Sequence, residues 1–123
     1  CILYASVYLH GGTVMTQSSA AATDLQRLRG SADKAQALLK ALSNQDRLML
    51  LCQLVERERS VGELESTLGI LQPTLSQQLA VLRREGLVAT RREGKQIYYR
   101  IVSAEALAVI TTLYELFCSE EDA

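Results

Sequence analysis

The chain has few of the residue types that build active sites and metal centres. Its 123 residues include one histidine, one proline, three cysteines and no tryptophan. The histidine, His10, lies in the opening segment, so the rest of the chain has no imidazole for acid–base chemistry or metal binding. It also has no serine–histidine pair and no phosphate-binding glycine loop. We therefore expect a protein that is not an enzyme and that uses no cofactor and no resident metal.

A long apolar segment is also missing. No uninterrupted hydrophobic run approaches the roughly 20 residues that cross a bilayer. Hydrophobic residues at 48% and charged residues at 22% are ordinary proportions for a globular chain. The length suits one compact domain with a single core. We expect a cytoplasmic protein with no membrane partner.

The opening segment CILYASVYLHGGTV differs from the rest of the chain. It lacks the basic start and the small-residue cleavage site of a secretory signal. Met15 is a candidate for the natural start. We expect residues 1–22 to form a mobile N-terminal extension, residues 23–119 the folded domain and residues 120–123 an acidic tail.

The net charge of −1 hides an uneven distribution. Residues 72–100 carry six basic side chains against two acidic ones, whereas the remaining residues carry seven against twelve. A local concentration of positive charge is the electrostatic footprint that a nucleic-acid surface requires. The second half of the chain is therefore the predicted site of DNA contact.

Helical periodicity starts at Thr23. Apolar residues recur there at intervals of three and four as far as Leu42, which predicts an amphipathic helix. Thr23 suits its N-terminal cap, and Gly30 is a point at which this helix can split. Asn44 suits the cap of a second helix at residues 45–57, whose LMLLC run predicts a place in the core.

A helix, a tight turn and another helix follow. VGELESTLG should end at Gly69, and Pro73 suits the first turn of the next helix, where its missing N–H has no partner. In LQPTLSQQLAVLRREG, Leu75, Leu79 and Leu82 form one buried stripe. The polar candidates beside that stripe are Gln72, Thr74, Ser76, Gln77 and Gln78. Such side chains can read base edges in the major groove. The plainer alternative is a solvated polar helix beside a charged hairpin.

Two segments with strand alternation come next. LVATRR and KQIYYRI alternate polar and apolar residues, and Glu93 with Gly94 should form the turn between them. The hairpin would carry Arg91, Arg92 and Lys95 near its tip. Cations at this place can contact phosphates or enter the minor groove.

Residues 31–118 resemble the ArsR family of winged-helix bacterial repressors in the order of their elements. The phrase VGELESTLGILQPTLSQQLAVLRREGLVATRREGKQIYYRI is similar to the BigR/SqrR branch, whose members respond to reactive sulfur species. One departure is NQDRL at residues 44–48, where relatives usually have a proline after the first residue. The resemblance implies a mainly α fold with a small β-hairpin, which is a winged helix-turn-helix. It also implies a transcriptional repressor bound to double-stranded DNA.

The last helix predicts the oligomeric state. SAEALAVITTLYELFC is apolar over most of its circumference, which is more than burial within one short chain requires. We expect a homodimer formed through the first and last helices. Its two reading helices would then match a near-palindromic operator.

The inducer is predicted by the resemblance. The cysteine pair or histidine ligands of metal-sensing relatives are absent here, whereas Cys52 and Cys118 match the cysteine pair of the sulfur-responsive branch. That match implies that a persulfide modifies one thiol and the other attacks it. A disulfide or polysulfide bridge then closes within one subunit and the operator is released. The open alternatives are a redox-silent regulator, whose cysteines are small buried hydrophobes, and a metal sensor.

Overall fold

The computed structural model describes residues 18–118, with side chains from Thr23 onward. The predicted acidic tail lies outside these residues, and so does the predicted N-terminal extension except for residues 18–22. The chain divides into two compact units, residues 1–40 and residues 41–123. The described part of the first unit is one helix, and the second unit contains the other elements.

Five helices and three strands make up the described chain. In chain order they are α1 (Ser18–Leu42), α2 (Gln45–Glu56), β1 (Arg59–Ser60), α3 (Val61–Leu68), α4 (Thr74–Arg84), β2 (Val88–Glu93), β3 (Gln96–Ile101) and α5 (Ala104–Phe117). The strands form one antiparallel sheet in the order β1–β3–β2. The predicted fold class, mainly α with a small β-hairpin, is confirmed. Strand β1 was not predicted, because two residues are too few to show alternation.

Helix α1 is longer and more regular than its sequence predicts. It begins at Ser18 and runs without a break through Gly30 to Leu42. The predicted cap at Thr23 and the possible split at Gly30 are therefore wrong. A single glycine in a helix costs about 1 kcal/mol relative to alanine, which the rest of a 25-residue helix can offset. Within the described residues, no helix is both long enough and apolar enough to cross a membrane.

The core of the second unit is formed mainly by leucines of α2, α3 and α4. Asn44 caps α2 as predicted, because its side chain accepts a hydrogen bond from the Arg47 backbone N–H at 3.0 Å. The buried apolar side chains on helices α2 to α5 are Leu50, Leu51, Leu54, Leu64, Leu75, Leu79, Leu82, Ala106 and Ile110. Helix α4 is fixed against α2 by this core, and α2 packs more extensively on α5 than on any other helix.

The helix-turn-helix is formed by α3 and α4. Ser60 and Glu63 form a capping box at the start of α3, in which each side chain bonds to the other residue's backbone N–H at 3.1 and 2.9 Å. Gly69 ends α3 as predicted, with a left-handed φ of 70° that disfavours other residues. Pro73 lies one position before the first residue of α4, Thr74. These local signals set where α3 begins and ends and where α4 begins.

Candidate nucleic-acid interface and thiol pair

Helix α4 has one buried face and one exposed polar face, as predicted. Leu75, Leu79 and Leu82 have at most 1% of their surface exposed. Thr74 and Gln77 are exposed, and among the described residues neither side chain has a hydrogen-bond partner. An exposed row of neutral hydrogen-bonding groups on a fixed helix is suited to reading base edges.

The other polar side chains of this segment are already engaged. The Gln72 carboxamide oxygen accepts hydrogen bonds from the Ser76 backbone N–H at 3.2 Å and from the Ser76 hydroxyl at 2.5 Å. Gln72 therefore closes the first turn of α4. Gln78 is half-buried, and its Oε1 accepts a hydrogen bond of 2.8 Å from Nη1 of Arg47 on α2. The five predicted residues thus lie together, but the side chains of Gln72, Ser76 and Gln78 already form hydrogen bonds. Among the described residues, those of Gln77 and Thr74 form none.

The wing is the hairpin of β2 and β3. Arg92 pairs with Ile97 and Glu93 pairs with Gln96, so the turn consists of Gly94 and Lys95. The turn predicted at Glu93 and Gly94 is wrong by one position, because Glu93 still belongs to the ladder. Gly94 has a φ of 61°, which favours glycine.

Arg91 is held from three sides in the wing. Its Nε and Nη2 donate to the Glu58 carboxylate at 2.7–2.9 Å, and its Nη1 donates to Glu93 at 2.9 Å. Its guanidinium lies 4.5 Å from the centre of the Tyr98 ring. The hydrogen bond from Arg91 holds the pKa of the Glu58 carboxyl below its usual value. The charge of Arg91 is therefore compensated by two carboxylates, whereas Arg92 and Lys95 are exposed at the tip.

An open groove of about 630 Å³ separates the end of α4 from the wing. Arg83, Arg84 and Lys95 lie on its walls, with Leu79 and Ile97 among its apolar lining. Arg83 and Arg84 were not among the predicted contact residues, although they contribute to the positive segment found from the charge count. Their position extends the basic surface from the wing to α4.

The two cysteines of the second unit lie on neighbouring helices. Cys52 is on α2 and Cys118 is the residue that caps the end of α5. Both thiols are free and half-buried. Burial raises the pKa of the Cys52 thiol above its ordinary value, and negative charge on Cys118 raises it further.

A titration of Cys52 should show both effects. With its pKa raised, this thiol stays protonated at neutral pH, and its thiolate forms only as the pH rises through the higher value. We expect the rate at which iodoacetamide alkylates Cys52 to rise with pH. The pH at half-maximal rate should lie above roughly 8.5, the pKa of a free cysteine. In Cys118→Ser the midpoint should fall but remain raised, because burial is the larger cause. Peptide-resolved mass spectrometry measures the rates, and a midpoint at the free-cysteine value in the parent would contradict the expected environment.

Metal ligands do not cluster in the described chain. Within residues 18–118, no group of three or more histidine, cysteine, aspartate or glutamate side chains could hold a metal ion. Structural zinc sites use four such ligands.

Comparison with known proteins agrees with this geometry. The family model described as "Bacterial regulatory protein, arsR family" matches residues 44–90. The biofilm growth-associated repressor of Xylella fastidiosa is 57% identical over 90 residues, which are 73% of this chain and 79% of the relative. The transcriptional activator HlyU of Vibrio cholerae is 47% identical over 95 residues, which are 77% of this chain and 88% of HlyU.

Two solved structures match as well. The transcriptional repressor BigR from Xylella fastidiosa superimposes with a TM-score of 0.71 at 54% identity, covering 76% of this chain and 95% of BigR. A homodimeric winged helix-turn-helix DNA-binding domain from Mycobacterium bovis gives a TM-score of 0.61 at 31% identity, covering 83% of this chain and 88% of that domain. From the helix-turn-helix, the wing and these relatives together, the chain belongs to the ArsR family of bacterial regulatory proteins.

Proposed function

We propose that this protein is a homodimeric transcriptional repressor that leaves its DNA operator when Cys52 and Cys118 are bridged by reactive sulfur species. The observation that carries the proposal is the position of the two thiols. They lie on α2 and α5, the helix pair with the most extensive contact, and both thiols are free and half-buried. The relative that is 57% identical is a repressor by name.

DNA binding is assigned to α4 and the wing. Gln77 and Thr74 face solvent on α4 and would contact base edges in the major groove. Gln72 and Ser76 shape the first turn of the same helix. Arg92 and Lys95 would contact phosphates, and Arg91 remains a predicted contact that must exchange Glu58 for a phosphate. The protein would act in the cytoplasm on a near-palindromic double-stranded operator.

Dimerisation is assigned to α1 and α5. Four large apolar side chains of α5 are exposed in the single chain: Leu107 at 42%, Tyr114 at 49%, Leu116 at 60% and Phe117 at 72%. Such a surface is unfavourable in water, and a second copy would cover it. The Mycobacterium bovis domain is homodimeric by description. A two-fold dimer would present two copies of α4 to two half-sites.

The proposed bridging reaction needs no oxidant other than the persulfide itself. A thiolate of Cys52 or Cys118 attacks the outer sulfur of a persulfide RSSH, which leaves RSH and a protein persulfide. The second thiolate attacks the inner sulfur of this protein persulfide, so that a disulfide forms and hydrosulfide leaves. If both cysteines are persulfidated first, the same attack gives a bridge of three sulfur atoms and hydrosulfide. Because burial raises the pKa of the Cys52 thiol, less of it is thiolate at neutral pH, and its reaction with any electrophile is slowed.

The proposal is tested by persulfide treatment of the whole protein, with intact-mass analysis and an operator-binding assay on the same sample. We expect a mass change corresponding to an intramolecular bridge, loss of DNA binding and recovery of both properties with reductant. Unchanged DNA binding with modified cysteines would instead favour a redox-silent repressor. Release by zinc or cadmium, without a response to persulfide, would favour a metal sensor.

The basic residues of the wing predict how the affinity for DNA depends on salt concentration. Each phosphate contact contributes about 0.9 to the slope of log affinity against log salt concentration. We expect Arg92→Gln and Lys95→Gln each to lower the slope by about this amount. Arg91→Gln should lower it less, because Glu58 and Glu93 already compensate Arg91 in the free protein. The binding constant at four or five salt concentrations measures the slope, and Lys34→Gln on α1 is a control. Unchanged slopes for both tip variants would place the phosphate contacts elsewhere.

A further inference from the structure

The hydrogen bond between Arg47 and Gln78 fixes what Gln78 can offer to a ligand. It joins α2 to α4 across 31 residues of sequence, at 2.8 Å. A guanidinium carries only donors, so the amide atom that faces it must be the oxygen. The acceptor of Gln78 therefore points to Arg47, and its NH₂ group is the end left for a partner outside the protein.

Arg47 itself is well fixed. Its Nε donates to the carbonyl oxygen of Ala41, and its backbone N–H donates to the side chain of Asn44 at 3.0 Å. The guanidinium is therefore anchored at the start of α2 before it reaches Gln78. A guanidinium held in this way loses little entropy when it orients a second group.

A glutamine with its oxygen turned away cannot read adenine in the usual way. The bidentate adenine contact requires the amide oxygen and the NH₂ group side by side on one base edge. A group that only donates instead matches the major-groove acceptors of guanine, N7 and O6, or of thymine, O4. Gln77, one position earlier, is exposed and retains both functions.

We propose that Arg47 is a specificity-determining positioning residue, which makes Gln78 a donor that selects guanine or thymine in the operator. Arg47 acts through Gln78 without touching the base. This inference rests on the proposed DNA-reading role of α4 and adds to it the base class read at one position. The two adjacent glutamines of α4 then have different preferences, although they are chemically identical residues.

The test is selection of binding sites from a randomised double-stranded DNA library by the full-length protein and its variants. The position that loses base preference in Gln78→Ala identifies the contact, so the natural operator need not be known. For the parent we expect guanine or thymine there. In Arg47→Met the Gln78 amide is free to turn, and adenine at that position should gain about tenfold relative to the parent. Thermal unfolding of each variant shows whether it is folded.

Two further variants make the test decisive. The double variant Arg47→Met/Gln78→Ala should have the same base profile as Gln78→Ala, because Arg47 has nothing left to orient. Gln78→Glu keeps an acceptor for Arg47 but presents a second acceptor to DNA, so its preference should change to cytosine, which offers the N4 donor. This second variant leaves Arg47 and its bond to Ala41 in place and tests whether residue 78 contacts the base. If Arg47→Met does not fold, the base that the parent prefers at that position still tests the inference.

Four results would overturn the inference: adenine preferred by the parent at that position, an unchanged profile in folded Arg47→Met, a double variant that differs from Gln78→Ala, or a uniform loss of affinity in Gln78→Ala without any change in base preference. The proposed function fails separately. If neither Gln77→Ala nor Gln78→Ala alters base preference at any position, α4 is not the reading helix.

Discussion

Cys52→Ser and Cys118→Ser are each expected to remain on the operator after persulfide treatment, whereas the parent protein leaves it. A bridge needs both thiols, so either substitution stops the reaction at a persulfide on the remaining cysteine. Both substitutions replace a half-buried side chain by a similar one, and basal DNA binding should be preserved. An electrophoretic or fluorescence binding assay with and without persulfide measures the effect, which we expect to be nearly complete.

The control is Cys1→Ser, which should respond as the parent does. Intact-mass analysis under denaturing, non-reducing conditions separates a bridge within one chain from a link between two chains. Release of either single variant by persulfide would contradict the mechanism, and so would a mass that corresponds to two linked chains. The redox-silent repressor would then be the better interpretation.

Gln77→Ala is expected to lower operator affinity by about 1–3 kcal/mol, or about 5- to 150-fold, because a bidentate base contact is lost. Gln77 is exposed and has no partner among the described residues, so the fold should not change. Thr74→Ala and Ser76→Ala should have smaller effects. Fluorescence anisotropy with labelled operator measures affinity, and size-exclusion chromatography with light scattering confirms an unchanged oligomeric state.

Gln36→Ala on α1 is a matched control, because it removes an exposed glutamine far from α4 in sequence. It should bind as the parent does. Equal affinity of Gln77→Ala and the parent would show that this face of α4 does not lie against the bases. The contact would then have to be sought on the wing or at the end of α4.

Periodicity predicted the buried face of α4, and the predicted signals at Asn44 and Gly69 are confirmed. The leucine stripe of α4 follows from spacing alone, and the Asn44 cap follows from one side chain and its next neighbours. The stripe depends on spacing over about two turns of one helix, and the cap depends on a contact within one turn. The predicted start of α1 at Thr23 is wrong, because a threonine inside a helix cannot be told by sequence from a threonine at its cap.

The contacts that could not be predicted join residues distant in sequence. Glu58 and Arg91 are 33 positions apart, and Arg47 and Gln78 are 31 apart. No local pattern indicates that an arginine of the wing is neutralised or that one of two adjacent glutamines has its oxygen occupied. These pairs depend on how the helices and the sheet pack, and they change which predicted residues are available to DNA.

In the proposed switch, helix α2 would couple the cysteine bridge to the amide of Gln78, because it carries both Cys52 and Arg47. Cys52 and Arg47 are five positions apart on this single helix. That spacing corresponds to roughly 7.5 Å along the axis and about 140° around it. No loop lies between them to absorb a displacement. A bridge that turns α2 about its own axis at Cys52 would therefore also move the Arg47 guanidinium. A covalent change at sulfur would then reorient the amide of Gln78, even if the spacing of the two half-sites stayed constant.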